Sequence, residues 1–73
     1  KSVEERLSYF LRFFVENSNS RKINLPLSRE EIASIVGARP ETVIRILSSW
    51  KHKGLISVKA KSVTVLSPAT LFQ

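Results

Sequence analysis

The segment from residue 28 to residue 54 constrains the fold most, because it encodes two helices with only a few residues between them. Ser28 and Glu31 have the spacing of a capping box, in which each side chain accepts a hydrogen bond from the backbone amide of the other residue. Gly37 can end a first helix in the left-handed conformation, and Pro40 suits the first position of the next helix. This order predicts a short helix, a tight turn and a second helix. The predicted helices cover residues 29–36 and 40–53.

Apolar residues of the two helices are spaced so that they meet in the fold. Leu27 and Ile32 are placed as a hydrophobic staple around the start of the first helix. Ala33 is small at the point where the helices must cross closely. The spacing is that of a helix-turn-helix over residues 28–53, although a plain helical corner has the same apolar pattern. The side chains predicted to lie between the helices are Ile32, Val36, Val43 and Ile46.

The rest of the chain adds one more helix and a small sheet. An apolar stripe at helical spacing predicts a first helix over residues 2–17, which starts with a second capping box. Alternation over residues 23–27 predicts a short strand, which Pro26 restricts to a sheet edge. Alternation over residues 55–66 predicts a two-stranded hairpin, and Ser67 is placed to cap a final short turn. The predicted fold class is α+β and mainly helical, with three helices and a small antiparallel sheet.

The composition narrows the function classes. The chain has 73 residues, which is the size of one small domain. It has no cysteine and a single histidine, so disulfides, metal sites built from Cys or His, and thiol catalysis are excluded, and no cofactor is expected. No apolar run approaches the ~18 residues of a membrane span. Twelve Lys and Arg against six Asp and Glu give a net charge of +6, which favours a polyanionic partner, most simply nucleic acid. The sequence therefore favours a binding domain over an enzyme.

The outward face of the helix over residues 40–53 carries the most specific signal. Glu41 and Arg45 are one helical turn apart near its N-terminal end, opposite the apolar stripe, and Ile44 lies at the side of this face. Arginine suits the O6 and N7 acceptors of guanine, and glutamate suits the N4 donor of cytosine, so both are candidate base readers in a DNA major groove. A glutamate and an arginine four residues apart are also a common helix-stabilising pair, and the sequence leaves that alternative open.

The start of the same helix is a candidate anion site. Arg39 precedes Pro40, so it is expected to be extended, and its side chain has no oxygen that could cap the helix. The backbone amides near Glu41 and Thr42 are then expected to be free for a phosphate, with the Thr42 hydroxyl beside them. Water is the alternative partner of these amides.

Four further side chains are assigned from their neighbours. Lys59 and Lys61 flank the hairpin tip and are placed to contact a phosphate backbone, with a solvated turn as the alternative. Trp50 is assigned to the core, because the sheet is small and aromatic residues are too few for base stacking. His52 is assigned to the surface, since no second metal ligand accompanies it.

Tyr9 and Phe13 lie one turn apart on the first helix, off its apolar stripe. They are expected either to cover the edge of a thin core or to pack against a region outside this chain, because exposed aromatic residues on one face often mark an interface.

The chain resembles the C-terminal DNA-binding domains of the CRP/FNR family of bacterial transcription regulators. The densest similarity lies in LSREEIASIVGARPETVIRIL, residues 27–47, and in KGLISVKAKSVTVL, residues 53–66. Within the first stretch, GARPETVIRIL is similar to the recognition-helix signature of the family. The resemblance implies a winged helix-turn-helix, with the recognition helix at residues 40–53 and the wing at residues 55–66.

The resemblance also implies roles for individual residues. Glu41 and Arg45 match the major-groove readers, and Ile44 occupies a further base-contacting position where other members carry Gly or Ser. Pro40 stands where some members have an additional arginine reader, and Ala60 stands where many have a glycine at the wing turn. The candidate phosphate contacts are Arg29, Arg39, Thr42, Lys59 and Lys61.

Members of this family are longer than the present chain. They carry an N-terminal β-barrel sensor domain and a dimerisation helix, so residues 1–73 are interpreted as one domain excised from a longer regulator of the bacterial cytoplasm. The implied partners are double-stranded DNA, a second copy joined through a region absent from this chain, and RNA polymerase. The predicted function is sequence-specific binding of double-stranded DNA for transcription regulation. The alternative is a winged-helix protein-interaction module in which Glu41 and Arg45 form only a surface pair.

Overall fold

A computed structural model of the chain describes residues 2–20, 22–24, 28–59 and 62–72. The described elements follow the predicted order and end in a fourth, one-turn helix where a final short turn was expected. They are α1 (Val3–Ser18), β1 (Lys22–Asn24), α2 (Arg29–Val36), α3 (Pro40–His52), β2 (Ile56–Lys59), β3 (Ser62–Val65) and α4 (Pro68–Leu71).

Both predicted capping boxes are formed. The Ser2 amide donates to Glu5 Oε1 over 3.0 Å, and the Glu5 amide donates to Ser2 Oγ over 3.1 Å. Ser28 and Glu31 exchange the same two hydrogen bonds over 2.9 and 3.1 Å. Each box satisfies two amides that a helix start otherwise leaves unpaired, so the boxes fix where α1 and α2 begin. Leu27, the predicted staple partner, lies outside the described residues.

Two predicted helix boundaries are wrong by one residue. α1 ends at Ser18, one residue later than predicted, and Asn19 after it is left-handed at φ 54°. α3 ends at His52, with Lys53 as the cap residue and Gly54 left-handed at φ 77°. The Leu55 amide reaches back to the Trp50 carbonyl over 2.9 Å, and this bond closes the α3 terminus.

Two other local predictions also need correction. The strand predicted over residues 23–27 begins one residue earlier, and its described part ends at Asn24, while residues 25–27 lie outside the described ranges. The Ser67 hydroxyl makes no capping hydrogen bond to α4. The Leu71 amide instead donates to the Ser67 carbonyl over 3.0 Å, so the backbone alone closes this last turn.

The three strands form one antiparallel sheet in the order β1-β3-β2. Val63 of β3 lies opposite Ile23 on one side and Val58 on the other. β1 and β2 are therefore the edges, which agrees with the edge position predicted for the first strand. The apolar side chains of the sheet alternate with polar ones, so one sheet face packs on the helices and the other faces solvent.

The core lies between the helices and the inner face of the sheet. Trp50 of α3 is 3% exposed, which confirms its predicted core position. Burying a side chain of the size of Leu or Ile contributes about 1.5–3 kcal/mol, so this core holds the α2–turn–α3 unit against α1 and the sheet. The buried apolar residues are Leu7, Leu11, Ile23, Ile32, Ala33, Val36, Val43, Leu47, Trp50, Ile56, Val63, Val65 and Leu71. In the described ranges no helix is long and apolar enough to cross a membrane.

Candidate nucleic-acid interface

The turn between α2 and α3 sets the direction of α3. Gly37 is left-handed at φ 70°, and the Ala38 amide donates to the Ala33 carbonyl over 2.8 Å, which closes the end of α2. Arg39 is extended at φ −91° and ψ 150°, as expected for a residue before proline. Only residues 37–39 separate α2 from α3, and the two helices pack directly against each other. Both conformations were predicted from the sequence.

The outward face of α3 is solvent-exposed along its whole length. Glu41 and Arg45 are exposed one turn apart, and Ile44 is 49% exposed at the side of this face. His52, which was assigned to the surface, is exposed at the end of the helix. The opposite face carries the buried Val43, Leu47 and Trp50. The helix thus presents charged and apolar side chains together on its solvent-exposed face.

The charges of Glu41 and Arg45 have no partner in the described part of the chain. Neither side chain forms an ion pair or a hydrogen bond with another residue of the described ranges. The same two residue types do pair on α1, where Arg12 Nε lies 3.1 Å from Glu16 Oε2 at the same four-residue spacing. The helix-stabilising pair that the sequence left open on α3 is therefore not formed, and both groups are available to a partner.

The amides at the start of α3 are less free than predicted. The Thr42 amide donates to the Arg39 carbonyl over 3.0 Å, and the Val43 amide donates to the same carbonyl over 3.2 Å. The prediction of a free Thr42 amide is wrong, because a three-residue bond tightens the first turn of the helix. The Arg39 side chain makes no capping bond, as expected. Of the two amides, only that of Glu41 has no acceptor within the described part of the chain.

The candidate phosphate contacts lie around α3 and at the hairpin. Arg29 is half-buried at the first position of α2, and Arg39 is exposed directly before α3. Thr42 is half-buried in the first turn of α3. Lys59 is exposed at the end of β2, whereas Lys61 lies outside the described residues. The described candidates therefore come from three different elements and the turn before α3.

Sheet pairing adds a lysine that was not among the predicted site residues. Lys22 of β1 lies opposite Thr64 of β3, and Thr64 lies opposite Ser57 of β2. Lys59 lies opposite Ser62 one step along the same face. These five residues line a groove of about 420 Å³ on the solvent face of the sheet, with a lysine on each edge strand and no carboxylate among the described residues that line it. The position of Lys22 follows from the pairing of β1 with the hairpin, and local sequence patterns do not predict such a pairing.

A second concave region lies away from these residues. A cleft of about 310 Å³ is formed by α1, the C-terminal end of α3 and α4, and it includes Tyr9, Lys53 and Phe72. It contains none of the predicted site residues. Within the described ranges no group of three or more His, Asp or Glu side chains is arranged to hold a metal ion.

Comparison with known proteins places this geometry among transcription regulators. The family model of the Crp-like helix-turn-helix domain matches residues 5–73. The "Fumarate and nitrate reduction regulatory protein" of Vibrio cholerae is 33% identical over 78 aligned positions, which cover 100% of this chain and 31% of the relative. The "Transcriptional activator protein FnrA" of Stutzerimonas stutzeri is 32% identical over 71 positions, covering 90% of the chain and 29% of the relative. The chain thus spans about a third of the length of these relatives.

Solved structures show the same architecture. FixK2 from Bradyrhizobium japonicum superposes with a TM-score of 0.89 at 27% identity, covering 97% of this chain and 37% of that protein. A mutant of CooA from Carboxydothermus hydrogenoformans gives a TM-score of 0.86 at 26% identity, covering 97% of this chain and 35% of that protein. The described elements therefore form a winged helix-turn-helix, with α2 and α3 as the helix-turn-helix and the β2–β3 hairpin as the wing.

Proposed function

The chain belongs to the family of Crp-like helix-turn-helix domains, and from that premise we propose that it binds a specific double-stranded DNA sequence as the DNA-binding domain of a longer transcription regulator. Its relatives carry the names of transcription regulators and not of enzymes. The observation that carries the proposal is that Glu41 and Arg45 are exposed on the first two turns of α3 and have no partner among the described residues. A helix of this kind fits the width of the DNA major groove.

In this proposal the three residues on the outward face of α3 read bases. Arg45 donates two hydrogen bonds to O6 and N7 of a guanine, and Glu41 accepts one from N4 of a cytosine in the same half-site. Ile44 is apolar and half-exposed, so it contacts a thymine methyl group or packs on a neighbouring base edge. The chemistry of these side chains supports direct readout of a site that contains G·C pairs.

The surrounding cations position the domain on the phosphate backbone. Arg29, Arg39 and the Thr42 hydroxyl flank α3, and Lys59 and Lys61 contact phosphates from the wing. Lys22 joins this group, since strand pairing places it on the same sheet face as Lys59. Such contacts fix the register of α3 in the groove but carry no sequence information.

The longer regulator is proposed to act as a homodimer in the bacterial cytoplasm, joined through a region outside this chain. Each copy then reads one half-site, and the two half-sites lie about one helical turn apart or a multiple of it. RNA polymerase is proposed as a further protein partner of the regulator.

Binding to duplex DNA at several salt concentrations tests the proposal. A duplex selected from a random pool is compared with a scrambled duplex by fluorescence anisotropy. We expect tighter binding to the selected duplex and a steep loss of affinity with salt, because each phosphate contact releases about one counterion. Equal affinity for both duplexes, or no dependence on salt, would contradict the proposal and would favour a protein-interaction module.

A further inference from the structure

The first turns of α1 contact the ends of both helices of the helix-turn-helix. Arg6 Nε donates a hydrogen bond to the carbonyl oxygen of Val36 over 2.7 Å, across 30 positions of the sequence. Val36 is the last residue of α2. The side chain of Arg6 is half-buried, so solvent screens this charged hydrogen bond only in part. α1 therefore holds the turn that leads into the recognition helix.

The end of α2 has no cation of its own, and the contact with Arg6 supplies one. Carbonyl groups at a helix C-terminus carry partial negative charge and attract a nearby cation. The last turn of α3 contains Lys51 and His52, whereas the last turn of α2 contains no basic residue. A Cβ built on Gly37 would lie 3.9 Å from Arg6 Nη2, so the guanidinium lies against the turn itself. Arg6 supplies from α1 the charge that α2 lacks.

A second contact joins α1 to the other end of the unit. Trp50 Nε1 donates a hydrogen bond to Glu4 Oε2 over 3.1 Å. Trp50 is buried on α3, and Glu4 lies in the first turn of α1. Two residues of α1, two positions apart, thus hold the end of α2 and the C-terminal half of α3. The two contacts therefore fix α1 to both helices of the unit that carries Glu41 and Arg45.

We propose that Arg6 and Glu4 are positioning residues for DNA recognition, which set the placement of α3 without contacting DNA. This inference rests on the proposed function. A base-reading side chain tolerates displacement of only about 0.5 Å, so loss of either contact reduces specific binding even when the domain stays folded. Both residues act through contacts within the domain, and the binding that they affect is that of the duplex half-site.

A double-mutant cycle with Arg45 tests the proposal in the 73-residue chain. Arg6→Met removes the donor, and Arg12→Met removes the same charge from an exposed position of α1 as a matched control. We expect Arg6→Met to weaken binding to the selected duplex about tenfold, with little effect on the scrambled duplex and none from Arg12→Met. In the Arg45→Ala background the effect of Arg6→Met should fall to nearly onefold, because α3 then has no guanine contact to misplace. Arg6→Lys should restore part of the affinity, since it keeps the charge and a donor.

The outcomes separate this inference from the proposed function. If Arg45→Ala itself leaves discrimination between the duplexes unchanged, the proposed function fails. If Arg45→Ala acts as expected but Arg6→Met costs the same factor in both backgrounds, the loss reflects general destabilisation and the positioning role is overturned. Circular dichroism at the assay temperature establishes that each variant is folded. If Arg6→Met is unfolded, Glu4→Ala replaces it in the same cycle, with Glu16→Ala as the control. An effect that disappears in the Arg45→Ala background supports the positioning role, and an equal effect in both backgrounds overturns it.

Discussion

A residue in the left-handed region follows each of the helices α1, α2 and α3. The backbone conformation of these single residues sets the direction of the chain after each helix. Asn19, Gly37 and Gly54 have φ values of 54°, 70° and 77°. Glycine adopts this region without strain, and asparagine tolerates it better than other residues with a Cβ. Gly37 was predicted to end its helix in this conformation. Each of these residues stops a helix where the next element must change direction.

Gly37→Val tests the importance of the turn between α2 and α3. A Cβ at this position meets only Arg6 Nη2 at 3.9 Å, which is ordinary contact, so the expected cost comes from the backbone and not from a clash. We expect a loss of about 1 kcal/mol or more in the free energy of unfolding, measured by thermal or urea unfolding. Gly37→Asn is the control and should cost less, because Asn tolerates φ > 0. An unchanged melting midpoint for Gly37→Val would show that the turn does not depend on a left-handed residue.

The long-range hydrogen-bond partners of polar side chains could not be predicted from sequence patterns. Trp50 was correctly placed in the core. Its hydrogen bond to Glu4 spans 46 positions, and that of Arg6 to Val36 spans 30. Such contacts depend on how α1 packs across the helix pair, which local periodicity does not encode. The capping boxes, in contrast, involve residues three apart and were predicted in full.

At the scale of elements, the sheet shows the same division between local and non-local information. The alternation of Ile56, Val58, Val63 and Val65 predicted both strands of the wing, and the structure contains both, with Val58 paired to Val63. The pairing of β1 with β3 is a contact between distant segments, so it was not predicted, and with it the position of Lys22 was missed. The faces of α3 follow from a period of 3.6 residues, which explains why its outward residues were placed correctly.

The sheet face leads to a prediction about salt dependence. Lys59→Ala and Lys22→Ala should each lower the slope of log affinity against log salt by about one, because each removes one phosphate contact. Affinity should fall by a similar factor on selected and scrambled duplexes, since phosphates carry no sequence information.

Lys53→Ala is the matched control for these two variants. Lys53 lines the cleft between α1 and α4, and its removal should leave the slope unchanged. If Lys22→Ala behaves like Lys53→Ala, the phosphate-contacting part of the sheet is limited to the wing. If all three variants lower the slope equally, the effect reflects net charge and not contact.

At the scale of the whole molecule, the domain exposes aromatic residues on α1, the helix that precedes the helix-turn-helix. Tyr9 and Phe13 of α1 are 54% and 60% exposed, which agrees with their predicted position off the apolar stripe. The relatives are about three times longer than this chain, so a longer regulator offers a surface that could cover them. We expect these two side chains to pack against that additional region.

Serine substitutions of both aromatic residues test this expectation. In the 73-residue chain, Tyr9→Ser and Phe13→Ser should change the free energy of unfolding by no more than about 0.5 kcal/mol each, because the side chains are largely exposed. In the longer regulator the same changes should lower the melting midpoint or increase hydrogen exchange in α1. Equal, small effects in both proteins would show that the aromatic residues face solvent in the regulator as well.

The central claim, that Arg45 and Glu41 read bases, is tested most directly by their alanine variants on a selected and a scrambled duplex at one salt concentration. Two copies of the chain are joined by a fused coiled coil, because one domain reads only a half-site. Arg45→Ala should cost about 1–3 kcal/mol on the selected duplex and little on the scrambled one, while Lys51→Ala, which removes the same charge from the same helix, should affect both duplexes alike. Glu41→Ala should lower discrimination and leave affinity for the scrambled duplex equal or higher, since a carboxylate is repelled by the phosphates. Equal losses on both duplexes for Arg45→Ala would contradict the claim and would reduce that residue to a phosphate contact.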